Sequence, residues 1–156
     1  MSLNADAFQF LEHFWHGTLG VPWLGTSVEF FVYIDEGTFA EYHALSQATI
    51  DSIRDICNLP LSTRVGLERF LYDYYNSSIF NHMFNESEFT PKVNVPHEIW
   101  RLVSSPGITL PRPERRLQQR SFYVTFETTW DPEHGLAIVF GADGNPIEEC
   151  DPCHCN

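Results

Sequence analysis

The stretch Phe122-Tyr123-Val124-Thr125-Phe126-Glu127-Thr128-Thr129-Trp130-Asp131-Pro132-Glu133-His134-Gly135-Leu136-Ala137-Ile138-Val139-Phe140 decides the fold class. Pro132 has its φ fixed near the value for the first central position of a type I turn, and it pushes Asp131 into an extended conformation. Asp131 can therefore end an incoming strand. Gly135 stands where a four-residue hairpin loop built on that turn needs φ > 0 to bring the chain back into register. The two apolar runs are expected to pair as antiparallel strands, Phe122 to Trp130 and Leu136 to Phe140. Alternation puts Phe122, Val124, Phe126 and Trp130 on one face, and Tyr123, Thr125, Glu127 and Thr129 on the other. Leu136 to Phe140 is apolar on both faces, as a central strand is. Ala142-Asp143-Gly144-Asn145 supplies the next turn and Pro146 to Glu149 a short edge strand, which completes a three-stranded meander.

The crown of this hairpin carries the candidate binding residues Trp130, Asp131, Glu133 and His134. Two readings compete. Asp, Pro and Gly are ordinary turn residues, and Glu and His are tolerated at a loop tip. The same residues also set two carboxylates, an imidazole and a large rigid indole side by side. As an acid/base or metal site the trio Asp131, Glu133 and His134 matches neither H-E-x-x-H nor a calcium loop, and an exposed tip lacks the burial that shifts a pKa. No catalytic residue is assigned. No G-x-S-x-G and no phosphate-cradling glycine loop occurs, and Cys57 on a helical face is read as buried and inert.

Upstream, Phe8, Leu11, Phe14 and Trp15 share one helical face, so residues 5 to 16 are expected to form a short amphipathic helix stopped by Gly17. Val21-Pro22-Trp23-Leu24-Gly25 is a turn-like connector with an apolar anchor. Val28 to Ile34 alternates as a strand with Val28, Phe30, Val32 and Ile34 on one face. Asp35-Glu36-Gly37 turns the chain, and Thr38 to His43 is expected to pair back weakly. Ser46 can cap a helix over 47 to 57 with Ile50, Ile53 and Cys57 inward. A longer helix begins near Ser62, with Leu67, Phe70, Leu71, Tyr74 and Tyr75 at helical spacing. Residues 85 to 96 are a loop and 97 to 105 a short helix. Ile108 to Leu110 is a short strand whose following Pro111 marks it as an edge or as ending abruptly.

The formal charge is −12, and it is unevenly spread. Residues 1 to 53 hold seven acids and no Lys or Arg, residues 121 to 156 again seven and none, and all nine basic residues lie from Arg54 to Arg120. If the two ends lie in one sheet they form a broad negative surface, which repels nucleic acid and anionic lipid and attracts basic partners. The same charge also serves solubility. Arg112, Arg115, Arg116 and Arg120 form the one basic cluster and are expected to pair with the protein's own carboxylates. Apolar runs such as Phe30 to Ile34 are far too short to span a bilayer, and the start of the chain lacks a basic-then-apolar leader, so a cytoplasmic location is expected.

The tail Cys150-Asp151-Pro152-Cys153-His154-Cys155 places three thiols and an imidazole within six residues. Cys150, Cys153 and Cys155 are candidate ligands for zinc or Cu(I), against the alternative of a frayed end with reactive thiols. The C-x-x-C-H spacing of haem attachment is present, but haem attachment is not expected here. No cofactor is expected.

The run Phe122 to Phe140, followed by Asp143-Gly144, resembles the signature of a family of uncharacterised bacterial domains of similar length that end in a strand, a W-D-x-E-H-G turn and another strand. Pro22-Trp23, Gln47 in the first long helix and Tyr74-Tyr75 at the end of the second are similar too. The Cys-rich tail lies outside that pattern. The resemblance implies an immunity protein that protects a bacterium against a polymorphic toxin, and it carries over no catalytic residue. The expectation is a single α+β domain over 1 to 149, with a tail over 150 to 156. In it an antiparallel sheet, made of Val28 to Ile34, the strand near 108 and the C-terminal meander, is covered by two longer helices. The expected function is non-enzymatic: an acidic protein that binds a basic protein partner, such as a toxin domain, and neither nucleic acid nor membrane. The rival is a metal-dependent enzyme or metal-binding protein using Asp131, Glu133 and His134. A scaffold subunit is a third reading, and the oligomeric state stays open.

Overall fold

The apolar alternation from Phe122 onward becomes the last three strands of one large sheet in the computed structural model, which describes residues 7–34, 44–82, 86–113, 121–153 and 155. Among the described residues the strands are β1 (Phe8–Leu11), β2 (Phe14–Val21), β3 (Thr26–Tyr33), β4 (Val103–Leu110), β5 (Phe122–Thr128), β6 (Leu136–Phe140) and β7 (Pro146–Cys150). Their order across the sheet is their order along the chain. Every neighbouring pair is antiparallel except β3 with β4. Parallel strands need a crossover, and here it contains the helices α1 (Gln47–Cys57) and α2 (Ser62–Tyr74). The class is mixed α+β. The sheet is larger than expected, and helices of 11 and 13 residues are modest beside its seven strands.

Two strands come from the segment expected to be a helix. Residues 8 to 21 form the β1–β2 hairpin, with Phe8 opposite Gly17 and Phe10 opposite Trp15. The three-and-four spacing of Phe8, Leu11, Phe14 and Trp15 is also compatible with two short alternating runs. What tips it is the turn at Glu12-His13, where Glu12 takes a left-handed φ of 45° and the His13 N–H meets the Leu11 carbonyl. Neither residue is a typical turn former, so the reversal has no signal in composition. Gly17, rather than stopping a helix, lies mid-strand across from Phe8.

A second correction concerns β4. It starts at Val103 within the expected helix, which is reduced to a 3-10 segment at Pro96–Arg101. It is also central, between β3 and β5, rather than an edge. Pro106 is accommodated because the β4–β5 register shifts between Ser104 and Gly107. The strand does end at Leu110, directly before Pro111.

The remaining elements follow their local chemistry. Ser46 caps α1, its Oγ accepting from the Thr49 N–H at 3.2 Å. Ile53 and Cys57 point inward, as do Leu67 and Leu71 of α2 and Tyr75 just beyond it. The chain continues as a π-helical turn over Tyr75–Ile79. In the connector between β2 and β3, Trp23 is fully buried and its Nε1–H donates to the Ile56 carbonyl at 2.7 Å, which satisfies an acceptor at the end of α1.

One core results. Val28, Phe30, Val32, Ile108, Leu110, Phe122, Val124, Phe126, Leu136, Ile138 and Phe140 join Ile53, Ile56, Leu67 and Leu71 in a single buried cluster. Tyr123, Ala137 and Val139 are also buried but lie on the opposite face, outside that cluster. The expected turn at Asp35-Glu36-Gly37, the pairing of Thr38 to His43, and Arg115, Arg116 and Arg120 lie outside the described residues.

Candidate functional site

Strand alternation sends one residue in two to the face of the sheet opposite the core. On β3 these are Glu29, Phe31 and Tyr33, on β4 Gly107 and Thr109, and on β5 Tyr123, Thr125 and Glu127. The pairing lines them up across the sheet: Glu29 beside Gly107 beside Thr125, and Phe31 beside Thr109 beside Tyr123. Large side chains therefore stand on the outer two of three strands and small ones on the middle strand. The outcome is a groove of about 360 Å³, lined by Glu29, Phe31, Tyr33, Ser105, Thr109, Tyr123, Thr125, Glu127, His134 and Pro152 among others.

Gly107 is what keeps the floor low. A Cβ placed there would come within 2.7 Å of the Thr125 hydroxyl and 3.7 Å of the Phe31 ring, so any side chain would rise into the groove. Next to it Ser105 holds a φ of 51°, uncommon for a residue other than glycine and more so before a proline. Such a conformation costs on the order of 1 kcal/mol and is often found at binding or catalytic sites. Here it lets the Ser105 hydroxyl donate to Glu127 Oε2 at 3.2 Å.

The walls carry aromatic and acidic groups. Phe31 packs on Phe14 at 5.8 Å and on the His16 ring at 5.1 Å, and Tyr33 packs on Phe14 at 5.6 Å. The carboxylate of Glu29 lies 3.6 Å from His16 Nε2 and is 61% exposed, so it remains available to solvent. A second depression of about 290 Å³ lies on the other side of Glu127, lined by Arg101, Ser104, Thr128, Thr129 and Pro132 among others, and lacks an aromatic wall.

The structure divides the four hairpin residues. The loop runs from 129 to 135, and the Gly135 N–H donates to the Asp131 carbonyl at 2.9 Å. Gly135 has a φ of 70°, and a Cβ there would sit 2.3 Å from the Phe126 carbonyl oxygen, so the sequence-based assignment of a left-handed glycine holds. Asp131 Oδ1 accepts from the His134 N–H at 3.1 Å and lies 3.2 Å from His134 Nδ1. That hydrogen bond and the adjacent negative charge raise the His134 pKa above its ordinary value. His134 reaches the groove; Glu133 is exposed at the tip. Trp130 turns to the core side, where its ring lies 5.2 Å from that of Tyr75. Tyr75 is fixed in turn by its hydroxyl, which donates to the Pro91 carbonyl at 2.7 Å, and burial with nearby Glu86 pushes its pKa up to about 12.

In the tail, Cys150 and Cys155 are joined in a disulfide, while Cys153 is free and exposed. Among the described residues, no three His, Cys, Asp or Glu side chains gather where they could hold a metal ion. Cys57 is buried, and burial pushes its thiol up to about 11, which leaves it protonated and unreactive at neutral pH. No helix among the described residues is long and apolar enough to cross a membrane.

Reasoning from sequence missed Glu29, Phe31, Tyr33, Ser105, Gly107 and Glu127 as one site. The only signal was the mixed face of two strands, and nothing local says that β3 and β5 flank a common neighbour. The chain belongs to the family described as a domain of unknown function, DUF6985, whose model matches residues 5–155. That match runs through the Cys-rich tail, which the hairpin-based resemblance had left outside. Comparison with curated proteins and with solved structures finds no match.

Proposed function

For this member of DUF6985 we propose a non-enzymatic binding protein that takes a basic protein partner on the acidic groove and its hairpin rim. In this reading the partner is a toxin domain, and the protein is a bacterial immunity protein acting in the cytoplasm. One observation carries the proposal. The groove over β4 is bordered by the carboxylates of Glu29 and Glu127 and by the partly exposed rings of Phe31 and Tyr33, with the buried Tyr123 at its base. An aromatic wall supplies contact area at low entropic cost, and acidic groups at the edge speed encounter with a basic surface. The net charge of −12 adds long-range attraction. Asp131 and His134 shape the rim, Glu133 extends it, and Trp130 anchors the hairpin to the core through Tyr75.

The test is capture of partners from the native bacterium, paired with co-expression beside any neighbouring toxin gene. The expected result is a basic protein retained at low salt, released as ionic strength rises, and neutralised on co-expression. Absence of both capture and rescue would sink the reading. Stoichiometric zinc, calcium or iron in protein purified without a tag would replace it with a metal-dependent function.

A further inference from the structure

We propose that the Cys150–Cys155 disulfide and the Cys153 thiol form a thiol–disulfide switch that holds Pro152 against the groove when oxidised and releases it when a low-molecular-weight thiol reduces the bond. Only the effect on partner binding rests on the function proposed above; the exchange and the release do not. Register places the disulfide. Glu29, Gly107, Thr125, Ala137 and Cys150 follow one another across the sheet, each paired with the next. Paired residues point to the same face, so Cys150 projects on the groove side, two strands from Thr125 and roughly 10 Å away by strand spacing. Two further residues reach about 7 Å, and Pro152 does line the groove together with His134. Asp151 stands close enough to His134 for its charge to add to the rise of that imidazole's pKa.

What the disulfide fixes is the tail. Its two cysteines are five residues apart, the first at the end of β7 and the second in the segment after it, so it ties down no second strand or helix. A cross-link of that span closes only a short loop, the case in which a disulfide adds least to the stability of a whole domain. Breaking it lets the end of the chain fray, and Pro152 leaves the groove with it. In the reducing compartment proposed above, disulfides are rare and those that form are mostly transient or redox-sensing.

Cys153 supplies the nucleophile. It is exposed and unbonded between the two bonded sulfurs, three residues from Cys150 and two from Cys155. The chain itself keeps Cα atoms two residues apart within about 7 Å. Toward Cys150, the Cys153 N–H donates to Asp151 Oδ1 at 2.8 Å and turns the backbone, and a turn brings Cα atoms three residues apart within about 7 Å as well. Disulfides bridge Cα separations up to about 6.8 Å, so either partner is within reach. As a thiolate, Cys153 attacks Sγ of Cys150 or Cys155; the old S–S bond breaks, the other sulfur leaves as a thiolate, and a new disulfide forms with no net oxidation. Full reduction takes two small thiols. The first forms a mixed disulfide and frees one cysteine, and the second displaces the other, leaving three protein thiols and one small-molecule disulfide. In the reverse direction the exposed Cys153 takes the small disulfide first, and exchange passes the bond inward to Cys150 and Cys155.

The experiment takes the full chain through reduction by glutathione and re-oxidation by glutathione disulfide, with alkylation and peptide mass mapping of the sulfur pairings and with amide chemical shifts followed alongside. Reduction should move the signals of Thr125, Glu127 and His134 and increase their broadening by a soluble neutral paramagnet, while Ile53 in α1 stays in place. A Cys150→Ser/Cys155→Ser double variant should show the released signals with or without thiol, which separates release of the tail from any other effect of the reductant. Cys153→Ser should keep the Cys150–Cys155 bond, lose the pairings through residue 153 that the native chain shows at mildly alkaline pH, and re-oxidise more slowly. Groove signals unmoved by reduction would overturn the gating, and re-oxidation of Cys153→Ser at the native rate would overturn the role of Cys153. Disulfide-linked dimers in place of the internal bond would overturn both. Equal capture of a basic partner by the oxidised and reduced chains would also overturn the gating. Capture by neither, with the shifts as expected, would sink the binding-protein reading and leave the switch standing.

Discussion

Along β3 two faces of one strand carry different kinds of information. Val28, Phe30 and Val32 are essentially inaccessible and enter the shared core, whereas Glu29, Phe31 and Tyr33 on the other side line the groove. The backbone and its hydrogen bonds are common to both sets, so the contrast comes from side-chain environment alone. On the core face, close packing against α1 and α2 leaves little latitude in volume. On the groove face Phe31 and Tyr33 pack on Phe14 and His16 but stay partly exposed, so these residues can also be selected for what they contact outside the protein. Burial thus separates positions that specify the fold from positions free to specify a partner.

Substitutions can break or sharpen that contrast. The largest effect is expected from Phe30→Ala, which empties a fully buried site at the centre of the sheet. It should cost about 3–5 kcal/mol in urea unfolding, while Phe31→Ala on the opposite face should cost less than half as much. Comparable losses for the two would erase the contrast. Next comes Gly135→Ala, which places a methyl against the Phe126 carbonyl at a left-handed position and should cost at least about 1–3 kcal/mol. A neutral result by thermal unfolding would mean that the hairpin can adopt another loop. Glu29→Gln should change stability by no more than about 0.5 kcal/mol, because the carboxylate is mostly exposed. A larger loss would show that the groove wall is part of the scaffold.

The smallest effect is a titration. The His134 imidazole should hold its proton to a pH above the ordinary histidine midpoint near 6.5, because Asp131 favours the charged form. The sign follows from linkage: the Asp131–His134 contact is fully present below the unfolded-state midpoint and is lost as pH rises through the raised folded one. Asp131→Asn should bring the midpoint down, as followed by the imidazole proton resonances. An unchanged midpoint would mean that the two side chains do not meet in solution.

Much of this was legible residue by residue. The β5–β6–β7 meander, the faces of β3 and β5, the Ser46 cap, the extent of α1 and the left-handed Gly135 all rest on interactions between residues close in sequence, and each matches its expectation. The β1–β2 hairpin was not legible, because Glu12-His13 carries no turn signature and the apolar spacing fitted a helix as well. The central place of β4 escaped for a similar reason. Pro111 argued for an edge or an abrupt end, of which the structure keeps the end, and only the shifted register beside Ser105 shows how Pro106 is tolerated between two neighbouring strands. Of the hairpin residues, Trp130 faces Tyr75 on the core side, the face it shares with Phe122, Val124 and Phe126 by alternation, whereas His134 reaches the groove from a loop beyond Thr128 where alternation no longer applies.

By itself the amino-acid sequence determined the α+β class, the strongly negative charge, the positions of both helices and the alternation that commits one face of each strand to the core. Those properties follow from local conformational preference and from the period of the hydrophobic pattern. Tertiary structure alone decided that β3 and β5 flank the same strand, which brings Glu29 and Glu127 to one groove from positions far apart in the chain. The physical reason is that neighbour choice in a sheet is settled by packing and by the route of the crossover, and neither is encoded in any short segment.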